Sequence, residues 1–119
     1  MTPRTVGRIT SRATFAEVQR ARARGACGPV RATFAPADEA TAGMFPQVGY
    51  AIGRRCGSAV VRNRLRRRAR SVVREEAPSL PRGAFLVRLE PGATRLGAAQ
   101  FRHDLTAALH RAGEAAARP

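Results

Sequence analysis

The stretch "VGYAIGRRCGSAVVRNRLRRRARSVVREE", residues 48–76, decides the architecture because its periodicity changes half-way. Val48, Tyr50 and Ile52 alternate with Gly49, Ala51 and Gly53, the period of a strand with one apolar and one small face. The small face implies that another segment packs close to the backbone there. A Gly57-Ser58 turn then opens a helix over 59–76. At 3.6 residues per turn, Val61, Leu65, Ala69, Val72 and Val73 share an arc of about 120°. Asn63, Arg66, Arg67, Arg70 and Arg74 share an arc of about 100° on the far side. One face anchors the helix to a sheet and the other is a rail of guanidinium groups. Arginines at i and i+4 oppose the helix by a few tenths of a kcal/mol per pair. Burying three or four aliphatic side chains at roughly 1.5–3 kcal/mol each outweighs that repulsion.

Working outward, "SRATFAEVQRARARG" reads as a first helix of about 13 residues, capped by Ser11, with apolar Phe15 and Val18 at i and i+3 and Gly25 as its end. Residues 29–37 alternate Val30, Ala32 and Phe34 on one side, a strand bounded by prolines. "DEATAGMFP" is a turn-rich loop. After the arginine helix, "APSLPRG" breaks the chain and residues 84–90, "AFLVRLE", form a further strand. Pro91-Gly92 turns into a last helix from about Leu96 to Ala112, with Phe101, Leu105 and Leu109 on one face and a frayed tail at 113–119. The order is that of one small α+β sandwich spanning 1–119, with an ordered core over about 8–112. The residues around the "EPGATR" turn have room for a fourth short strand.

The 119 residues suit a single domain with one modest core. Their charge is less ordinary: 22 basic residues against 8 acidic ones give +14, a self-repulsion best tolerated beside a polyanion. All 22 are arginine. A GC-rich genome biases codons toward arginine, which bears on the missing lysines but not on the excess of charge. Guanidinium forks suit phosphate because two N–H groups meet two oxygens. Glu75 and Glu76 sit at the unfavourable end of the helix dipole, which implies pairing with nearby arginines. No run of 18 apolar residues and no apolar leader are present, so the expectation is a cytoplasmic protein without a membrane partner. Cys27 and Cys56 lack CxxC spacing and stand beside only two histidines, so free thiols are expected rather than a disulfide or a metal site.

Residues 48–70 resemble the signature of the bacterial ribonuclease P protein subunit: a strand ending in a basic pair, a Gly-x-Ala-Val turn, and Arg62-Asn63-Arg64 matching the family's RNR motif. Arg8 and Ile9 upstream of Phe15, the "FLVRL" strand and the closing amphipathic helix extend the resemblance to about 8–112. It implies the fold of the second domain of ribosomal protein S5, about four strands and three helices, with a left-handed βαβ crossover against the usual handedness. It further implies that Arg54, Arg55, Arg62, Asn63, Arg64, Arg66, Arg67 and Arg70 face the catalytic RNA subunit. Arg8, Phe15 and Phe34 would then hold the 5′ leader of precursor tRNA, aromatic faces being indifferent to base sequence. Three positions depart from the family pattern. Gln19 stands where a second cleft aromatic is usual, Ser58 replaces an asparagine, and Arg68 replaces an apolar residue at the edge of the buried face, where its stem is expected to snorkel.

The chemistry of the residues agrees. His103 and Asp104 are neighbours on a helix, His110 lies among arginines, and the carboxylates come as sequence neighbours rather than as the convergent set a two-metal nuclease needs. No hydrolytic machinery is expected in the polypeptide. The resemblance assigns phosphodiester hydrolysis to RNA, with Mg2+ held mainly by the RNA components and no organic cofactor. Two rivals share the basic face: a ribosomal or general RNA-binding protein of related fold with no role in cleavage, and a DNA-binding module, for which Asn63 is the only obvious non-arginine base reader on the rail.

Overall fold

The computed structural model describes residues 6–9, 12–37 and 46–117. Five strands form one sheet: β1 (Gly7–Arg8), β2 (Ala23–Cys27), β3 (Val30–Pro36), β4 (Gln47–Ile52) and β5 (Gly83–Leu89), in the order β1-β4-β5-β3-β2. Three helices accompany them: α1 (Arg12–Arg20), α2 (Ala59–Glu76) and α3 (Ala98–Ala117). β4 and β5 are parallel and joined through α2, which makes the βαβ unit, whereas β2, β3 and β5 pair antiparallel.

The register sorts every side chain to one of two faces. Val48, Tyr50, Ile52, Phe85, Val87, Leu89, Val30, Ala32 and Phe34 point to the side covered by α2 and α3. There they meet Leu65, Ala69, Val72 and Val73 of α2 and Phe101, Leu105, Ala108 and Leu109 of α3. The anchor face read from the α2 periodicity is thus the buried one, and Ser58 caps the helix by accepting from the Val61 amide at 3.3 Å. On the other face α1 covers only part of the sheet, seating Val18 and Ala21 over Ala35, Ala84 and Leu86. Ile9 lies against Gly49, which accounts for the small residues of β4.

Several expectations need correction. The first helix ends at Arg20, and Gly25 is in β2 rather than at a helix terminus. A Cβ on Gly25 would stand 2.3 Å from the Ala108 carbonyl oxygen of α3, so this glycine serves close approach of helix to strand. The additional strands are therefore β1 and β2, while residues 91–95 form a 3-10 turn. α3 continues to Ala117 instead of ending at Ala112, because Ala116 still packs on the core. Ser11 and residues 38–45 of the expected loop lie outside the described residues. Among the described residues no helix is long and apolar enough to cross a membrane.

Candidate RNA-binding surfaces

Two basic surfaces flank the sheet, and they meet at one end of it. The first is α2 with the turn before it. Arg54 and Arg55 are exposed in a 3-10 turn directly after β4, and Asn63, Arg67 and Arg70 are exposed on the rail. Arg66 joins them, half-buried, donating from Nη1 to Asn63 Oδ1 at 2.9 Å. That bond occupies the Asn63 carbonyl and leaves its amide N–H groups for a partner. The remaining two residues of the motif diverge. Arg64 is exposed but about 160° around the helix from Arg66. Arg62 turns toward the anchor face, half-buried, and its Nε finds no hydrogen-bond partner among the described residues. Arg68 does snorkel: its guanidinium stands 5.7 Å from the centre of the Phe101 ring, and Nη1 donates to the Leu96 carbonyl at 3.4 Å.

The acidic end of α2 is held by α3. Glu75 pairs with Arg102, and Glu76 pairs with His110 at 3.2 Å, so one partner is an arginine of another helix and the other a half-buried histidine rather than a surface one. Tyr50, beneath the C-terminal half of α2, has its phenol pushed up to about 12 by burial, opposed by the positive charges of Arg70 and Arg74.

The second surface is the part of the sheet that α1 leaves open. Gln19, Arg24, Ala26, Arg31, Thr33, Leu86 and Arg88 line a groove of about 250 Å³. Arg31 of β3 stands directly opposite Arg88 of β5, and Arg24 of β2 stands opposite Thr33 on the same face. Among the described residues, Glu90 offsets this cluster, accepting from Arg31 Nε at 3.3 Å. Like charges in direct cross-strand register destabilise a sheet, so the arrangement is costly unless an anion occupies the groove. Phe15, 38% exposed, lies one helical turn before the groove-lining Gln19 on the same face of α1. Arg8 is exposed on β1, at the other edge of the sheet. Arg88 pairs in register with Ala51, and the chain leaves β4 two residues later for Arg54 and Arg55. Groove and rail therefore adjoin at the C-terminal ends of β4 and β5.

Phe34 does not belong to this surface. Its ring is 2% exposed and stacks on Phe85 at 4.4 Å between ring centres, on the side of the sheet filled by α2 and α3. One ring face is taken by Phe85, and the 2% exposure leaves little of the rest for a base. The residue of β3 that does face the groove is Thr33.

A family model for ribonuclease P matches residues 4–113. The chain belongs to the ribonuclease P protein family. It is 37% identical over 107 residues to the ribonuclease P protein component of Nocardioides sp., covering 89% of this chain and 91% of that one. The corresponding protein of Streptomyces griseus is 42% identical over 67 residues, 56% of this chain and 54% of the relative. Among solved structures, the chain is similar to a mutant RNase P protein of Staphylococcus aureus described as defective in mRNA degradation activity, with a TM-score of 0.75 at 18% identity, covering 87% and 85% of the two chains. It is also similar to the RNase P protein of Thermotoga maritima, with a TM-score of 0.64 at 21% identity over 82% and 90%. As a ribonuclease P protein component, the chain works with an RNA subunit in a tRNA-processing endoribonuclease. The arginines of the groove were missed in the sequence because each strand carries them singly. Only the register collects Arg24, Arg31 and Arg88.

Proposed function

We propose that α2 and the Arg54-Arg55 turn dock the catalytic RNA while the groove between α1 and the open sheet face holds the 5′ leader of precursor tRNA. The observation that carries this reading is the unfavourable Arg31–Arg88 pairing, joined by Arg24, with Phe15 one helical turn before the groove-lining Gln19. A single-stranded leader supplies both complements: phosphates for the guanidinium groups and bases of any sequence for the aromatic face. Asn63, Arg66, Arg67 and Arg70 form the docking rail, Arg64 extends it around the helix, and Arg62 acts as its half-buried support. Arg8 reaches the leader only if the strand runs across to the β1 edge.

The reading also divides the chemistry. Glu75 and Glu90 are each paired with an arginine of the chain and Glu76 with His110, so the described basic surfaces offer no set of free carboxylates for a divalent ion. Mg2+ in the holoenzyme is then held mainly by RNA. The protein neutralises phosphate charge, which raises affinity for precursor and lowers the Mg2+ needed, in the cytoplasm where precursors are made.

The test compares Phe15→Ala with the parent protein in holoenzymes assembled with the cognate RNA. Binding of precursor bearing a leader weakens by about 1–3 kcal/mol, the usual worth of a base on an aromatic ring, while binding of mature tRNA is unchanged. Equal weakening of both would return Phe15 to a packing role. A general RNA-binding protein of the same fold would show salt-sensitive binding without any preference for the leader.

A further inference from the structure

On the α3 side of the sheet, behind the groove, the β2–β3 turn meets α3 at a cluster no sequence spacing announces. Cys27 Sγ, a ring nitrogen of His103 and a carboxylate oxygen of Asp104 lie within 4.8 Å of one another. Asp104, at 3% exposure, is the charged side chain that the fold buries among the described residues. It accepts from Gln100 Nε2 at 2.7 Å and from Cys27 Sγ at 3.4 Å, both on Oδ1. None of the ion pairs among the described residues reaches it, in a chain with 22 arginines. A buried carboxylate without a counter-charge is costly. The turn is shaped around it: Gly28 has φ +57, and a Cβ there would come within 2.4 Å of Asp104 Oδ2.

We propose that Cys27, His103 and Asp104 bind Zn2+ or a similarly borderline-soft divalent cation. Thiolate, imidazole and carboxylate are a zinc donor set, whereas Mg2+ takes oxygen ligands. Tetrahedral bonds to such ligands separate their donor atoms by about 3.3–3.8 Å, and rotation of the exposed His103 ring closes the remaining gap. Solvent at His103 supplies the fourth ligand as water. The Cys27 thiol releases its proton to solvent on binding, so one thiolate and one carboxylate neutralise the dication. Gln100 fixes the carboxylate from behind, the usual place of an outer-shell partner. The bound ion clamps the β2–β3 turn to α3, a structural role separate from the Mg2+ of the RNA.

The experiment titrates Co2+ into the metal-stripped, RNA-free full chain and reads the thiolate-to-cobalt charge-transfer absorption. One equivalent saturates it, Zn2+ bleaches it and a large excess of Mg2+ does not. Cys27→Ser abolishes the band and Cys56→Ser keeps it, since Cys56 is buried elsewhere and donates to the Leu89 carbonyl. His103→Ala, at an exposed position that leaves folding intact, weakens Co2+ and Zn2+ binding by tenfold or more, and Gln100→Ala by about 10–100-fold. A chain with no saturable band, a band that survives Cys27→Ser, or affinity indifferent to His103→Ala would overturn the site.

Discussion

Replacing Arg88 by glutamine separates what the groove costs from what it does. In the free protein Arg88 faces Arg31 across the β3–β5 ladder, with only the small Ala51 beside it on β4. A like-charged pair in direct register is destabilising, and cross-strand pair effects run to roughly 0.2–1 kcal/mol. Glu90 offsets part of the Arg31 charge, which places the gain toward the lower end. Arg88→Gln is therefore expected to stabilise the isolated protein, raising Tm by about 1–4 °C for a domain of this size. The gain should shrink at 1 M salt, where the screening length falls to about 3 Å. The same substitution should weaken binding of single-stranded leader RNA. If about six phosphates are contacted, the log–log salt slope of the parent is roughly −4, and losing one contact makes it shallower by about 0.7. Thermal unfolding at two salt concentrations and a salt titration of leader binding by fluorescence polarisation read both halves. A less stable variant, or one with unchanged leader affinity and slope, would refute the argument that the paired arginines are kept for an anion.

Other consequences follow from the core and from α2. Gly25→Ala should destabilise by about 1–3 kcal/mol or more, read as a lower denaturant midpoint, because its Cβ would enter the α3 backbone at Ala108 and Ala112. An unchanged midpoint would mean that α3 moves away freely. Tyr50 keeps its proton in the folded state up to about pH 12, whereas an unfolded tyrosine loses it near 10. The folded state thus binds more protons between those values, and stability falls as pH rises through that window. Tyr50→Phe should flatten the fall, as measured by urea denaturation from pH 9 to 12. An identical slope in both proteins would remove Tyr50 from the alkaline transition.

The parts of the fold legible in the sequence are those whose signal is local. The two faces of α2 follow from its 3.6-residue period, the strand over 47–52 from alternation, and the strand over 83–89 from a short apolar run between turn residues. β2 escaped because "ARARG" carries arginine at alternate positions of a short segment that also continues a helical pattern, and Gly25 reads equally as a helix terminus. Only the closeness of α3 reveals which meaning applies. Phe34 is instructive in the opposite direction. Its alternation with Val30 and Ala32 already placed it on the apolar side of β3, and that parity outweighs the positional match that assigned it to the leader. The groove arginines and the Cys27–His103–Asp104 cluster depend on contacts between distant segments. Residues that meet only through strand register or through α3 leave no spacing to read.

The most direct measurement is cleavage of a precursor tRNA at low Mg2+ by the cognate RNA subunit, with and without this protein, beside the protein alone. The account predicts correct 5′ cleavage only when RNA and protein are both present, with Arg88→Gln and Phe15→Ala holoenzymes needing more precursor to reach the same rate. Tight, salt-sensitive RNA binding without rescue of cleavage, or cleavage by the protein alone, would contradict it.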